Sequence, residues 1–158
     1  MKHLHQALLC LSLLATPALF QPALAQSVDP GCPALMAGSG LSWETQSQGQ
    51  FLLCRAVDGQ GQPVFNVMYT ASEPDIQLLR SHRAEKARFG NNEIHWHRVD
   101  VAGDTSPDIP FRRITKVRLQ RGLHAQLWIN AGDEQQLQQL IAVIGQLQPA
   151  NPQLAGAP

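Results

Sequence analysis

The most regular alternation of apolar and polar residues lies between positions 123 and 129. Apolar residues occupy every second position there, namely Leu123, Ala125, Leu127 and Ile129. This is the period of a strand that is buried on one face. A helical period follows, with apolar residues three or four positions apart at Leu137, Leu140, Ile141, Ile144 and Leu147. Because Asp133 and Gln136 have the spacing of an N-cap and its capping-box partner, the pattern predicts a strand followed by a helix that begins after Asp133.

Five more segments have the composition of strands and are bounded by turn residues, namely 41–45, 50–57, 62–70, 93–101 and 112–120. A further helix is predicted over 73–88, because Ser72 can act as its N-cap and Pro74 is tolerated in a first helical turn. The apolar stripe of this helix is interrupted, since Arg80 and Arg83 share it. Glycine and asparagine at 90–92 would end the helix.

These elements occur in the order three strands, helix, three strands, helix. The short connections between consecutive strands favour antiparallel pairing. We therefore predict an α+β fold, with a mainly antiparallel six-stranded sheet in βββα-βββα order and two helices packed on it.

The first 25 residues have the composition of a cleaved signal peptide. Lys2 gives a positive start, positions 7–15 form an apolar core, and Ala23 and Ala25 give the small-x-small pattern before a cut ahead of Gln26. An uncleaved signal anchor is the alternative, which the shortness of the apolar run disfavours. The chain is then predicted to consist of a signal peptide (1–25), a single α+β domain (26–147) and a polar, Pro-rich tail expected to be disordered (148–158). The expected location is periplasmic or secreted.

Charge and cysteine usage narrow the class of protein. The chain has 12 basic and 12 acidic residues, and removal of Lys2 with the leader would leave a formal charge of −1. This balance argues against nucleic-acid binding, which requires a basic surface.

Cys32 and Cys54 remain after cleavage, and an even count in an oxidising compartment predicts one disulfide. The pair lacks the Cys-x-x-Cys spacing of a redox site.

His95 and His97 form the most suggestive constellation for a metal site. Residues two positions apart on a strand project from the same face, so the two imidazoles would lie together, and His124 could join them if its strand is near. Such ligands suit zinc or copper. The alternative is an ordinary solvated strand face, with Trp96 packed on the other side.

A second candidate site is a basic stretch between positions 80 and 121, which has ten basic and five acidic residues. Arg112, Lys116 and Arg118 would project from one face of their strand, and Arg98 could align with them across the sheet. These four would form a basic patch able to bind an acidic protein, an anionic lipid head group or a polyanionic glycan, with the loop 103–110 as the rim. The alternative is a solvated sheet face with local ion pairs of little energetic value.

Motifs for nucleophilic catalysis, zinc proteases and phosphate-binding loops do not occur in the sequence. We therefore expect a non-catalytic binding module of accessory, inhibitor or immunity type, without a cofactor, that binds a protein partner in the cell envelope through a sheet face or loop. A metal-binding protein that uses the histidines is one alternative. A small cell-wall hydrolase is another, and it would need two carboxylates close together in a cleft.

Overall fold

Residues 31–100 and 103–154 are described by the computed structural model, and they form seven strands and one α-helix. The strands are β1 (Ser42–Gln48), β2 (Phe51–Val57), β3 (Pro63–Thr70), β4 (Arg83–Phe89), β5 (Asn92–Arg98), β6 (Arg112–Gln120) and β7 (Leu123–Asn130). The helix, α1, spans Glu134–Gln146, and short 3-10 turns lie at Arg80–His82 and Ile109–Phe111.

All seven strands form one antiparallel sheet in the order β1-β2-β3-β7-β6-β5-β4. β3 therefore pairs with β7 in the middle of the sheet, although three other strands come between them in sequence. After β3 the chain crosses to the opposite edge of the sheet, where it forms β4. β5, β6 and β7 then follow inward in sequence order, and β7 pairs with β3.

The helix packs on one face of this sheet, which we call the helix face; the opposite face is the open face. Leu137, Leu140 and Ile144 are the buried residues of α1, which contacts β4 and β7. At the start of α1 the Asp133 side chain accepts a hydrogen bond from the Gln136 backbone N–H (2.8 Å), as the spacing predicted. A row of buried side chains crosses the helix face, namely Cys54, Val67, Leu127 and Thr115.

The prediction of six strands and two helices is wrong, because residues 73–88 do not form a helix. The segment 71–79 is irregular, and residues 83–89 form the edge strand β4. Phe89 pairs with Asn92, so Gly90 and Asn91 are the two central residues of a tight hairpin. Gly90 has a φ of +57°, as the first central position of a type II′ turn requires. The glycine and asparagines that seemed to end a helix are therefore a hairpin signal.

The predicted disulfide between Cys32 and Cys54 is confirmed. It fastens the segment before β1 to the middle of β2, where Cys54 is fully buried. Trp43 strengthens this attachment, because its indole N–H donates to the Pro33 carbonyl (2.7 Å) and its ring packs edge-on against Phe65. With a sequence separation of 22, loop closure in the unfolded chain gives the disulfide a stabilising effect of about 3 kcal/mol.

A buried ion pair ties the outer edge of the sheet to its middle. The Arg113 guanidinium of β6 donates to both carboxylate oxygens of Glu85 on β4, at 2.8 and 2.7 Å, and its remaining hydrogen bonds go to the carbonyls of Pro110 and Arg112. Only 6% of the Arg113 side chain is exposed. The hydrogen bond from Arg113 holds the pKa of Glu85 below its usual range. Removal of the Glu85 carboxylate would leave the buried charge of Arg113 uncompensated, which typically costs about 3–5 kcal/mol.

Two predicted segments, the signal peptide and the tail, lie wholly or partly outside the described residues. The predicted signal peptide (1–25) lies outside the described residues. The predicted tail (148–158) is described as far as Leu154, which is buried, and the Ala150 N–H donates to the Tyr69 hydroxyl (3.0 Å). Within the described part of the chain, no helix combines the length and apolarity needed to cross a membrane.

The turn at Gly90 gives a test of the β4–β5 hairpin. A side chain at this position would have to adopt a positive φ, and its Cβ would clash with the Pro149 ring. We expect Gly90→Ala to lower the free energy of unfolding by about 2 kcal/mol, measured by urea denaturation. Gly59→Ala is the matched control, because a Cβ there meets nothing within 4 Å. Equal losses in the two variants would contradict the assigned turn.

Candidate binding surface on the open face

The open face carries the side chains that alternate with the buried rows of the helix face. Across its central strands these are Leu53 of β2, Asn66 and Met68 of β3, His124, Gln126 and Trp128 of β7, and Ile114, Lys116 and Arg118 of β6. Large apolar groups thus stand beside amides and charges on a face against which α1 does not pack.

The β6 side of this face is crossed by the irregular segment 71–79, which we call the strap. The Lys116 ammonium group holds it, since it donates to the Pro74 carbonyl (3.1 Å) and pairs with the Glu73 carboxylate (2.8 Å). The bond from Lys116 keeps the pKa of Glu73 below its usual range. Further along the strap, Ile76 and Leu78 line a groove together with Ile114 of β6. The strap therefore occupies one half of the open face.

The other half presents a partly exposed apolar strip. Leu53 and Met68 are cross-strand neighbours, and Trp128 lies diagonally from Met68 because Met68 faces Gln126. All three side chains are neither fully buried nor fully exposed. We call these residues the apolar strip.

The four basic residues predicted to bind a partner do not share one surface. Arg112, Lys116 and Arg118 are on the open face, as their even spacing predicted, whereas Arg98 pairs in register with Arg113 and therefore belongs to the helix face. Lys116 is engaged with the strap. Arg118 is exposed and faces His124 across the β6–β7 pair.

Arg112 forms ion pairs with the loop 103–110, which was predicted as the rim of the site. Its guanidinium pairs with Asp108 at 2.7 Å and with Asp104 at 3.4 Å. Asp104 also accepts hydrogen bonds from the backbone and hydroxyl of Ser106, which together with Arg112 lower the pKa of the Asp104 carboxyl. The charge of Arg112 is therefore largely neutralised by the loop 103–110.

The histidines are brought together only in part. His95 and His97 project from the same face of β5, as predicted, but His124 lies on β7 and β6 runs between them. Among the residues 31–100 and 103–154, no group of three or more His, Cys, Asp or Glu side chains is placed to hold a metal ion. A site built from all three imidazoles is therefore not assembled by these strands.

His97 is instead buried beside Ile114, the β6 residue that lines the groove with the strap. Its side chain is buried, with 6% of the residue exposed, and its Nδ1 atom has no hydrogen-bond partner among the described residues. Its cross-strand neighbours are Ile114 and Arg83. Burial lowers the pKa of His97, and the positive charge of Arg83 acts in the same direction.

The sequence pattern did not identify the apolar strip or the pair of Glu85 with Arg113. A signal for the strip was present, because Trp128 falls at a polar-side position of an otherwise alternating strand. A signal for the ion pair was also present, because Arg113 is an odd-numbered residue of a strand whose even-numbered residues Arg112 and Lys116 lie on the open face. A charged residue at such a position must point toward the buried face.

Comparison with known proteins adds no assignment to this surface. No protein-family model matches the chain, and neither the curated proteins nor the solved structures give a significant match.

The burial of His97 predicts a loss of stability on mild acidification. The pKa of His97 is about 6.5 in the unfolded chain and lower in the folded protein. Below about pH 6.5 the unfolded chain therefore binds more protons at this residue than the folded protein does. Stability should therefore fall as the pH drops from about 7 to about 5.5, by at most about 1 kcal/mol from this group. Carboxylates with lowered pKa values add their loss at lower pH.

Urea denaturation of the His97→Gln variant at these two pH values measures the contribution of the imidazole. We expect the variant to show a smaller loss of stability between them than the unchanged protein. His95→Gln, which removes an imidazole from the same strand, is the matched control. An equal reduction in both variants would contradict the assignment to His97.

Proposed function

We propose that this chain is a small exported binding module without catalytic activity. It acts in the periplasm or outside the cell as an accessory, inhibitor or immunity-type protein. Its partner is a protein of the cell envelope, which it captures on the open face of the sheet.

The partly exposed Trp128 at the end of the apolar strip is the observation that carries this proposal. Aromatic side chains on a rigid element release water from a large area when a partner covers them, at a small cost in conformational entropy. Leu53 and Met68 extend the apolar area from β7 to β2. A surface with an apolar centre beside polar groups has the organisation of a protein interface.

Polar groups around the apolar strip would fix the orientation of a bound partner. Gln126 lies between Met68 and Lys116 in one cross-strand row, and Arg118 places an exposed positive charge one row away. A partner with apolar side chains at its centre and a carboxylate toward Arg118 would complement this surface. In this proposal Arg112 and Lys116 support the loop and the strap, and Arg98 has no role in capture.

Affinity capture from an envelope extract tests the proposal. The immobilised protein should retain a specific protein, and Trp128→Ala should weaken that complex at least about thirtyfold, as expected for an aromatic anchor. Arg118→Ser should weaken it mainly at low ionic strength, because an exposed charge acts through screened electrostatics.

Gln139→Ala, at an exposed position of α1, is the matched control and should retain the same protein. Thermal unfolding of each variant establishes that the fold persists. If Trp128→Ala and Gln139→Ala retain the same proteins in equal amounts, the open face is not the binding site.

A further inference from the structure

A depression lies between the start of the strap and the neighbouring strands β6 and β7. It is lined by Glu73 of the strap, by Lys116, Val117 and Arg118 of β6, and by His124 of β7. Lys116 and Arg118 are two positions apart on β6, and His124 faces Arg118 across the strand pair, so the three basic side chains share the open face. We call this site the basic depression.

The basic depression has an excess of positive charge. Its lining contains two permanently charged side chains, Lys116 and Arg118, and a histidine, against the single carboxylate of Glu73. Arg118 and His124 face each other directly, and they repel when the imidazole is protonated. An anion placed beside them would offset this repulsion, and a guanidinium can bind both oxygens of a carboxylate.

Glu73 supplies the carboxylate that now occupies the basic depression. One of its oxygens lies 2.8 Å from the Lys116 ammonium group. The hydrogen bond and the charge of Lys116 are the main reason why the pKa of Glu73 is lowered, and the charges of His124 and Arg118 act in the same direction. The Glu73 side chain is 63% exposed, and ion pairs this exposed are weak. A carboxylate from outside can therefore compete with Glu73 for Lys116.

The start of the strap has other attachments that would survive such an exchange. Lys116 also donates to the Pro74 carbonyl (3.1 Å), and the Thr70 hydroxyl donates to the Ser72 carbonyl (2.7 Å). Neither contact involves the Glu73 carboxylate. Displacement of this one side chain therefore does not require the strap to leave the sheet.

The basic depression adjoins the apolar strip. His124 precedes Gln126 by two residues on the same face of β7, and Gln126 faces Met68 of the strip. Two residues along a strand span about 7 Å. A partner that covers the apolar strip would therefore bring its neighbouring side chains within reach of Arg118 and Lys116.

We propose that the basic depression binds an acidic side chain of the protein partner, and that Glu73 is an internal competitor for this position. This rests on the proposed function, to which it adds the chemical group that the partner presents and the residue that opposes its binding. The partner's carboxylate takes the place of Glu73 beside Lys116 and is also bound by Arg118. Glu73 then moves into solvent, and partners without a well-placed carboxylate are disfavoured because they leave the depression to Glu73.

Titration with short peptides, followed by two-dimensional amide NMR spectra at constant ionic strength, tests the site without the partner. The probe is the peptide GEEG with both ends capped, which carries two side-chain carboxylates, and its matched control is the capped peptide GQQG. GEEG should shift the backbone signals of Lys116, Arg118 and His124, with a Kd in the millimolar range because exposed charges bind weakly. GQQG should leave these signals in place.

Two pairs of variants test the roles of the residues. Glu73→Gln removes the competitor and should lower the Kd for GEEG about threefold. Asp75→Asn makes the same change in charge at an exposed position of the strap outside the basic depression, and it should leave this Kd nearly unchanged. In the Glu73→Gln background, Arg118→Ser should weaken binding about threefold, whereas Arg121→Ser, which removes an exposed charge from the turn after β6, should not.

Tighter binding of GEEG by Glu73→Gln than by Asp75→Asn supports the proposal, and the same spectra show whether each variant is folded. Equal Kd values for these two variants would overturn it. It is also overturned if GEEG shifts the signals of the Glu73→Gln variant no more than GQQG does. Because no envelope protein takes part, a failure here is distinct from a failure of capture, which the Trp128→Ala variant tests separately.

Discussion

One buried arginine ties the outer hairpin of this sheet, formed by β4 and β5, to β6. β5 and β6 are joined by two registered residue pairs, whereas β6 and β7 are joined along almost their whole length. Arg113 bridges this weak seam, because Glu85 of β4 reaches over β5 to its guanidinium. α1 packs against β4, so burial of the apolar side of the helix requires the hairpin to stay in place. The charge pair therefore acts together with the buried side chains of Phe89, Ile94 and Trp96 in holding the edge of the sheet in place.

Three basic residues of β6 hold other segments of the molecule in place. Arg113 holds the hairpin, Arg112 holds the loop before β6, and Lys116 holds the strap over the open face. Arg113 and Lys116 find carboxylates on β4 and on the strap, and Arg112 finds its two carboxylates in the adjoining loop. On the part of the open face beyond the strap, apolar groups and amides predominate.

The elements that were predicted well are those whose own sequence determines their structure. β6, β7 and the start of α1 follow from alternation, helical spacing and the capping residue Asp133. β4 was missed because alanine, glutamate, lysine and arginine are good helix formers, and only pairing with β5 makes them a strand. The alternation of side chains along one strand was enough to place Arg112 and Lys116 on the same face. Arg98 lies on the other face because of the register between β5 and β6, which depends on how the two strands pair and cannot be read from either strand alone.

The meeting of β3 with β7 has a consequence for how the molecule assembles. Phe65 and Ile129 face each other across this central pair although β4, β5 and β6 come between them in sequence. Such a closure carries a large loop entropy and raises the contact order, which slows folding. The two halves can form hairpins on their own, but the common core closes only when the last strand arrives. Until then the chain has unpaired strand edges in its middle, the state in which it is most exposed to aggregation.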